Sequence, residues 1–371
     1  MKKPKIRFKG FTETWEQRKL NEICNYHSSS LTAKDSCTDG EYDLFDVNSL
    51  IGKTSSSCID ENYITIIKDG AGVGRTRLLP KNTMFLGTMG ALTPKGIDLN
   101  FLFQIVSKAE LGRFCTGSTI PHIYFRDYGE NLFFVPSNRE QKPIGDYFSK
   151  LDNLITLHQR QCENLKKLKK FMLQKLFPQN GENVPEIRFS NFTDTWEQRK
   201  LGSICKITMG QSPNGSTYSE TPCDYILVQG NADLKDGWVV PRIWTSQITK
   251  TAKSGDLIMS VRAPAGAIGK TAYDVVIGRG VASINGNEFI YQTLKKYEIE
   301  GYWRKIATGS TFKSINSEDI NDTILFVPID DSEQKQIGSL FSKLDNLITL
   351  HQSKCDKLIE VKKYMLQNMF I

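Results

Sequence analysis

Two glycine-rich stretches contain the residue types that bind phosphate in nucleotide-binding proteins. Ala265-Gly-Ala-Ile-Gly-Lys-Thr271 ends like a P-loop, and Asp69-Gly-Ala-Gly-Val-Gly74 is similar to a dinucleotide-binding fingerprint. Each lacks one required glycine, because Pro264 stands at the first glycine position of the P-loop and Arg75 at the last glycine position of the fingerprint. The pattern therefore favours a glycine turn between two strands over a nucleotide site, with Arg75 and Lys270 as candidate contacts to phosphate.

A short hydroxyl-rich motif occurs twice. Thr116-Gly-Ser-Thr119 and Thr308-Gly-Ser-Thr311 each precede a stretch that differs between the two copies. Their hydroxyls and backbone amides are suited to phosphate oxygens or base edges. A helix N-cap or a turn uses the same residues and stays open as an alternative. Basic and polar residues in or near these motifs are the candidate DNA contacts: Lys68, Arg75, Ser118, Thr119, His122, Gln211, Arg262, Lys270, Ser310, Thr311 and Lys313.

Histidine and cysteine pairs raise the question of a metal site. His158 with Cys162, and His351 with Cys355, are spaced four residues apart on two predicted helices, as zinc ligands often are. If the two histidines face each other across a twofold axis, the cysteines lie about a turn away in opposite directions and cannot converge. A register shift of four residues would bring all four together. We favour packing between helices, and we predict no metal and no catalytic residue in this chain.

An internal repeat sets the organisation of the chain. Pro4–Leu20 recurs as Pro185–Leu201, with Trp-Glu-Gln-Arg-Lys-Leu at the end of both copies, and Ser149–Gln159 recurs unchanged as Ser342–Gln352. Between these blocks the halves share little beyond short fragments such as Phe134-Val-Pro136 and Phe326-Val-Pro328. Two copies of an enzyme would be expected to keep their catalytic residues. Two readers of different sequences would instead keep the frame and change the reading surface.

The hydrophobic periodicity predicts two long helices. In residues 139–177 and 332–370 apolar residues recur every three or four positions, which is typical of paired helices, and Pro178 ends the first. A twofold relation between the halves would make the pair antiparallel. The predicted contacts between the helices are Ile144, Phe148, Leu151, Ile155, His158, Leu165, Ile337, Phe341, Leu344, Ile348, His351 and Leu358.

Four segments follow from the repeat and the helices. Residues 1–137 and 185–330 are predicted to be similar recognition domains of mixed α/β (α+β) structure, rich in short strands such as residues 63–68 and 256–262. Residues 138–184 form the first spacer helix with a linker, and residues 331–371 form the second spacer helix. Trp15 and Trp196 lie in the repeated frame and are interpreted as packing residues.

Composition narrows the class of protein. A chain of 371 residues with 39% hydrophobic and 24% charged residues is typical of a globular protein of two or more domains. No apolar stretch is long enough for a membrane span, and no signal peptide is indicated. Eight scattered cysteines without a C-x-x-C pair favour a reducing cytoplasm, and a net charge of +7 is compatible with a polyanionic partner.

Together these features resemble the specificity subunits of type I restriction-modification systems. The resemblance rests on the Pro-x-Ile-Arg-Phe…Trp-Glu-Gln-Arg-Lys-Leu opening, the Leu-Asp-Asn-Leu-Ile-Thr-Leu-His-Gln helix and the diverged centre of each half. It implies a non-catalytic chain in which each recognition domain reads one half of a bipartite double-stranded DNA site. It also implies that the paired helices set the spacing between the half-sites and dock two modification subunits.

The resemblance also places the cofactors in the partner subunits. The modification (methyltransferase) subunits would bind S-adenosylmethionine and methylate adenine. Restriction (translocase and nuclease) subunits would use ATP and Mg²⁺, and this chain would hold no cofactor. Two other classes stay open from the residues alone. A standalone transcription factor would bind DNA tightly as a single chain, and a methyltransferase or nuclease with an unusual site would show its own cofactor binding.

Overall fold

The computed structural model describes residues 3–117, 119–179, 182–307 and 314–371. Its contacts divide the chain into two compact units. Unit 1 contains Met1–Arg160 and Gln352–Ile371, and unit 2 contains Gln161–His351. This division differs from the four segments drawn from the sequence, because each unit contains one recognition domain together with part of both long helices.

Unit 1 begins with short strands and closes with parts of two long helices. Its elements are β1 Glu16–Lys19, α1 Leu20–Ile23, β2 Cys24–Ser28, β3 Tyr42–Phe45, β4 Leu50–Thr54, β5 Tyr63–Ile67, β6 Thr76–Leu79, β7 Thr83–Phe85, β8 Met89–Pro94, α2 Leu99–Lys108, α3 Phe125–Tyr128, β9 Leu132–Val135 and the first part of α4 Asn138–Lys175, with 3₁₀ turns at Ala33–Asp35 and Leu111–Phe114.

Unit 2 contains the remaining elements. They are β10 Glu197–Lys200, α5 Leu201–Ile204, β11 Lys206–Met209, β12 Tyr218–Ser219, β13 Tyr225–Val228, β14 Leu234–Lys235, β15 Trp238–Val239, β16 Ile243–Thr245, β17 Lys250–Ala252, β18 Leu257–Ser260, β19 Ile268–Lys270, β20 Val275–Ile277, β21 Val281–Asn285, α6 Glu288–Ile299, α7 Tyr302–Ile306, α8 Ser317–Asn321, β22 Ile324–Val327 and the first part of α9 Asp331–Met369, with 3₁₀ turns at Gly215–Thr217 and Asn231–Asp233. The rest of α9 belongs to unit 1.

The two units share one topology despite their diverged sequences. One sheet has the order β2-β8-β5-β6 in unit 1, and β11-β21-β18-β19 begins the corresponding sheet of unit 2. A second sheet joins β3 to β7 in parallel and β3 to β4 antiparallel, as β13 joins β20 and β16. The repeated Glu-Gln-Arg-Lys strands β1 and β10 pair with β9 and β22. The mixed α/β prediction with two similar domains is confirmed.

Helices α2 and α6 hold each sheet against a long helix. Asp98 and Asn287 cap them by accepting hydrogen bonds from Phe101 N at 2.9 Å and Ile290 N at 3.0 Å. Gly145 in α4 allows α2 to approach closely, because a Cβ there would lie 2.8 Å from Phe101 N. Gly338 has the same place in unit 2, facing the start of α6.

Each unit has a cluster of four aromatic side chains at its centre. In unit 1 these are Trp15, Phe101, Phe148 and Phe370, with Trp15 and Phe101 ring centroids 5.9 Å apart and Phe148 and Phe370 centroids 5.5 Å apart. In unit 2 the equivalent cluster is Trp196, Phe289, Phe341 and Phe177. The interpretation of both tryptophans as packing residues is confirmed.

The long helices run antiparallel within each unit. In unit 1 Lys362 donates to Asp152 at 2.5 Å, while Phe148, earlier in α4, contacts Phe370, which directly follows α9. Unit 2 repeats the arrangement, since Lys169 donates to Asp345 at 2.6 Å. The predicted helices 139–177 and 332–370 therefore correspond to α4 and α9.

The apolar stripe of the long helices has more partners than the sequence indicated. All the residues predicted as contacts between the helices are buried or half-buried. Those near the helix starts, such as Phe148 and Phe341, pack into the cores of the recognition domains as well as against the other helix. Leu168, which fits the periodicity, is 41% exposed. The expectation that the stripe has the other helix as its partner was too narrow, because α2 and α6 cover part of it.

Candidate nucleic-acid interface

Both glycine-rich stretches are turns of β-hairpins. The first joins β5 to β6 and the second joins β18 to β19, both antiparallel pairs. Gly74 N donates to Ile67 O at 2.8 Å, and Gly266 N donates to Ser260 O at 2.7 Å. A P-loop or a dinucleotide-binding turn must lead into a helix whose amides face the phosphates. Strands follow here instead, so the glycine-turn interpretation is confirmed.

Gly74 and Gly266 anchor these turns to the domain. Both have positive φ, +86° and +95°, which favours glycine. A Cβ at Gly74 would lie 2.5 Å from Gly112 N in the 3₁₀ turn, and a Cβ at Gly266 would lie 2.3 Å from the Cβ of Trp303 in α7. The two turns are therefore equivalent in the two units, and each is fixed against a short helix.

The segment after each Thr-Gly-Ser-Thr motif lies beside its hairpin turn. Ile123 N donates to Lys68 O, and Ile315 N donates to Val261 O, both at 2.9 Å. Isolated bridges continue the contact, between Asp69 and His122 in unit 1 and between Arg262 and Ser314 in unit 2. Thr119 is exposed in the loop that Thr116 and His122 close. Ser118, Ser310, Thr311 and Lys313 lie outside the described residues.

Lys68 and His122 share a small pocket in unit 1. The pocket has a volume of about 220 Å³ and includes Tyr26, Tyr124 and Arg126 in its lining. His122 Nδ1 is hydrogen-bonded to the Asp69 carboxylate, which orients the ring. The Arg126 guanidinium lies 4.6 Å from the Tyr124 ring centroid. An exposed aromatic ring with cations beside it is a common arrangement where bases or sugars are contacted.

Arg75 and Gln211 are placed differently from these two residues. The Arg75 guanidinium donates to Val47 O and to Asn48 Oδ1, both at 2.9 Å, so it ties the hairpin to a neighbouring loop. Gln211 is exposed, and its backbone N–H donates to Ile277 O at 2.8 Å. Its side chain is therefore presented at the end of β20.

Unit 2 has an open cleft of about 350 Å³ beside its hairpin turn. Its lining includes Ser212, Gln229, Asn231, Arg262 and Arg279. Both arginines are exposed at its rim. Sequence reasoning named Arg262 and missed Arg279, although the Gly278-Arg-Gly280 turn between two apolar strands was a usable signal.

Lys270 does not join this cleft. In the β18–β19 hairpin it pairs with Leu257, at the end opposite the turn. Its ammonium donates to Glu288 Oε2 at 2.9 Å and lies 4.9 Å and 4.6 Å from the ring centroids of Trp238 and Tyr291. Only 16% of the side chain is exposed. These contacts give Lys270 a packing role in place of the phosphate contact that the motif indicated.

The cysteines offer no reactive thiol at the equivalent frame positions. Cys24 and Cys205, at the ends of α1 and α5, are buried. Burial raises the pKa of Cys24 to about 12 and that of Cys205 to about 11, so both stay protonated at neutral pH. Within the described part of the chain, no three histidine, cysteine or acidic side chains come together as metal ligands.

Comparison with known families gives the class of protein. The family described as the type I restriction modification DNA specificity domain matches residues 12–167 and 193–360, one match in each half of the chain. The chain belongs to this family. Both matches include a recognition domain and most of the long helix that follows it.

Relatives of this specificity-family chain include two proteins of Methanocaldococcus jannaschii. A putative type I restriction enzyme MjaX specificity subunit is 30% identical over 242 residues, which cover 62% of this chain and 56% of that protein. The chain thus matches a little over half the length of that relative. The MjaVIII specificity subunit is 23% identical over 331 residues, covering 82% of this chain and 77% of the other.

A solved structure shares the fold. The type I restriction-modification S subunit from M. genitalium superposes with a TM-score of 0.76 at 17% identity, covering 100% of this chain and 99% of the other. Among the described residues, no helix is long and apolar enough to cross a membrane.

Proposed function

We propose that this specificity-family chain reads a bipartite, asymmetric double-stranded DNA site, one half with each recognition domain. The observation that carries the proposal is the repeated backbone frame with unlike side chains. The bonds from Ile123 to Lys68 and from Ile315 to Val261 are the same, yet Asp69 and His122 stand where unit 2 has Arg262 and Ser314. Base edges are discriminated by such side-chain differences on a constant scaffold.

Catalysis and cofactors would belong to partner subunits. Two modification subunits would bind the long helices, using S-adenosylmethionine to methylate adenine, and restriction subunits would supply ATP- and Mg²⁺-dependent translocation and cleavage. Support for two identical partners comes from the unchanged repeat 149–159 and 342–352, because its exposed leucines, Leu154 and Leu157, recur as the exposed Leu347 and Leu350. Apolar residues exposed on a helix are suited to a protein interface. The chain would act in the cytoplasm, where the DNA is.

Exchange of one recognition segment tests the two-reader proposal. The chain is co-expressed with its modification subunit, and methylated adenines are mapped across the genome. Replacing residues 202–330 with the matching segment of a relative is expected to change one half-site and leave the other intact. If both half-sites changed, or neither did, the proposal would be wrong.

Two measurements on the isolated chain separate the other classes. A standalone transcription factor would bind its site tightly without any partner, whereas we expect high affinity only with the modification subunits present. An unusual methyltransferase would bind S-adenosylmethionine by itself, and calorimetric titration of the purified chain is expected to detect no such binding.

A further inference from the structure

We propose that Arg262 and Arg279 determine specificity in the second recognition domain by reading a guanine, and that the first domain has no equivalent reader at these positions. The inference rests on the proposed DNA-reading function. It concerns the cleft of unit 2 formed by the β18–β19 turn, the Gly278–Gly280 turn and Gln229.

Backbone contacts hold both arginines at the cleft. Val261 N donates to Gly280 O at 2.9 Å, so the turns that carry Arg262 and Arg279 are directly joined. Glycine allows this packing, because a Cβ at Gly280 would lie 2.0 Å from Gln229 O. The amide of Arg279 donates to Ser212 Oγ at 3.1 Å. The two side chains thus start from fixed points on rigid turns.

The positive charge of the cleft is not neutralised from within. No ion pair involves Arg262 or Arg279 among the described residues, and Arg279 has only a 3.4 Å hydrogen bond from Nε to Ser212 Oγ. The nearby carboxylate, Asp233, is buried and accepts from Gln229 N at 2.7 Å and from Arg242 Nε at 3.0 Å. Asp233 therefore holds the backbone of Gln229 in the cleft wall, and the two guanidinium groups stay available for a ligand.

The equivalent positions of unit 1 have a different chemistry. The bond from Lys68 N to Thr88 O at 3.0 Å matches that from Val261 N to Gly280 O, which places Asp69 where unit 2 has Arg262 and Gly87 where it has Arg279. Phosphate contacts serve any sequence, so both domains would need them alike. Arg262 and Arg279 instead occur in only one of the two domains. Residues that differ between domains of the same fold are expected to read different bases, so the difference indicates base reading.

The shape of the side chain selects the base. A guanidinium offers two parallel N–H donors that match the O6 and N7 acceptors of guanine in the major groove. The half-site read by residues 202–330 should therefore contain a G·C pair that depends on these arginines.

Methylation mapping with the assembled modification complex tests this. In each of the single variants Arg262→Ala and Arg279→Ala, the preference for guanine over other bases at one position of the second half-site is expected to fall by between about 5-fold and 150-fold. The first half-site should be unchanged, which also shows that the variant has folded. Arg279→Lys keeps the charge but loses the paired donors, so it should relax the same position as Arg279→Ala.

Lys200→Ala is the matched control, since Lys200 is an exposed cation on the frame strand β10, paired with Asp322 at 2.8 Å. It should leave both half-sites intact. A second half-site without any G·C pair would overturn the guanine assignment. The assignment would also be overturned if the alanine variants lost DNA affinity uniformly across sequences, the salt dependence of binding fell by roughly 1 in slope, and lysine at the same position restored full affinity. These results are the marks of a phosphate contact. Failure of the wild-type complex to yield any bipartite site would instead overturn the proposed function.

Discussion

The ammonium group of Lys270 is enclosed on several sides. The rings of Trp238 and Tyr291 lie next to it, and the Glu288 carboxylate accepts a hydrogen bond from it at 2.9 Å. Glu288 also accepts from Gln292 Nε2 at 2.9 Å, so the lysine belongs to a small polar network at the start of α6. Cation–π contacts strengthen when the cation is shielded from water, and removing one partner of a partly buried ion pair leaves an uncompensated charge.

Lys270→Met should therefore affect stability and leave DNA binding largely intact. Loss of the charge is expected to lower the free energy of unfolding by about 1–3 kcal/mol, measured by urea denaturation, because Glu288 would lose its partner. Lys253→Met is the control, because its pair with Asp274 is exposed and its loss should leave the free energy of unfolding almost unchanged. If Lys270→Met left the stability unchanged and made the DNA affinity less dependent on salt, Lys270 would be a phosphate contact after all.

The elements are joined by a repeated clamp between an extended arm and the start of a long helix. Arg188 donates two hydrogen bonds to Glu333 in α9, at 2.7 and 2.8 Å, and one to Asp194 O at 2.7 Å. Arg7 makes the same contacts to Glu140 in α4 and to Glu13 O. The carboxylate raises the pKa of each arginine, so each guanidinium stays charged throughout the physiological range. The Glu333 side chain is only 1% exposed, and Arg188 is the ion-pair partner that offsets its burial.

Arg188→Met should destabilise the chain by about 3–5 kcal/mol, since it leaves a buried carboxylate unpaired. Thermal or urea unfolding gives the value. Arg199→Met is the matched control, because the Arg199–Glu197 pair is about half exposed and should contribute about 0–1 kcal/mol. The double variant Arg188→Met with Glu333→Leu should recover most of the loss. If Arg188→Met cost no more than Arg199→Met, the clamp would have no structural role.

Elements with strong periodicity could be predicted from the sequence, and contacts made by the backbone could not. The long helices and the packing of Trp15 and Trp196 follow from a repeated apolar pattern that has few alternative explanations. The equivalence of Lys68 with Val261 is invisible in the side chains, because only their backbone N–H and carbonyl groups make the shared bonds. The stability role of Lys270 was likewise hidden, since Glu288, Trp238 and Tyr291 are separated from it in sequence.

At the scale of the whole molecule, each compact unit takes residues from both long helices. Phe370, just after α9, lies in the aromatic cluster of unit 1, and Phe177, just after α4, lies in that of unit 2. Each recognition domain is thus anchored to the start of one helix and the end of the other. We infer that the residues between these anchors set the distance between the DNA half-sites, as the proposed function requires.

Shortening both helices between the anchors tests this inference. Deleting residues 158–161 from α4 and 351–354 from α9 removes matched positions, leaves the exposed leucines of the proposed partner interface in place, and takes out about 6 Å at a rise of about 1.5 Å per residue. That is close to two base pairs at about 3.4 Å each. Both half-sites should be unchanged, and the gap between them should shorten by one or two base pairs in a methylation map of the assembled complex.

A second deletion controls for rotation of the helix faces. Four residues exceed one helical turn, so the apolar stripes rotate, whereas a matched deletion of seven residues nearly preserves their phase. Seven residues correspond to about 10 Å, and the expected shortening is about three base pairs. Substituting Lys166 and Lys167 with alanine, with no change in length, should keep the original gap. An active deletion variant that kept the original gap would show that some other part of the complex fixes the spacing, and the anchored helices would then serve only to join the two domains.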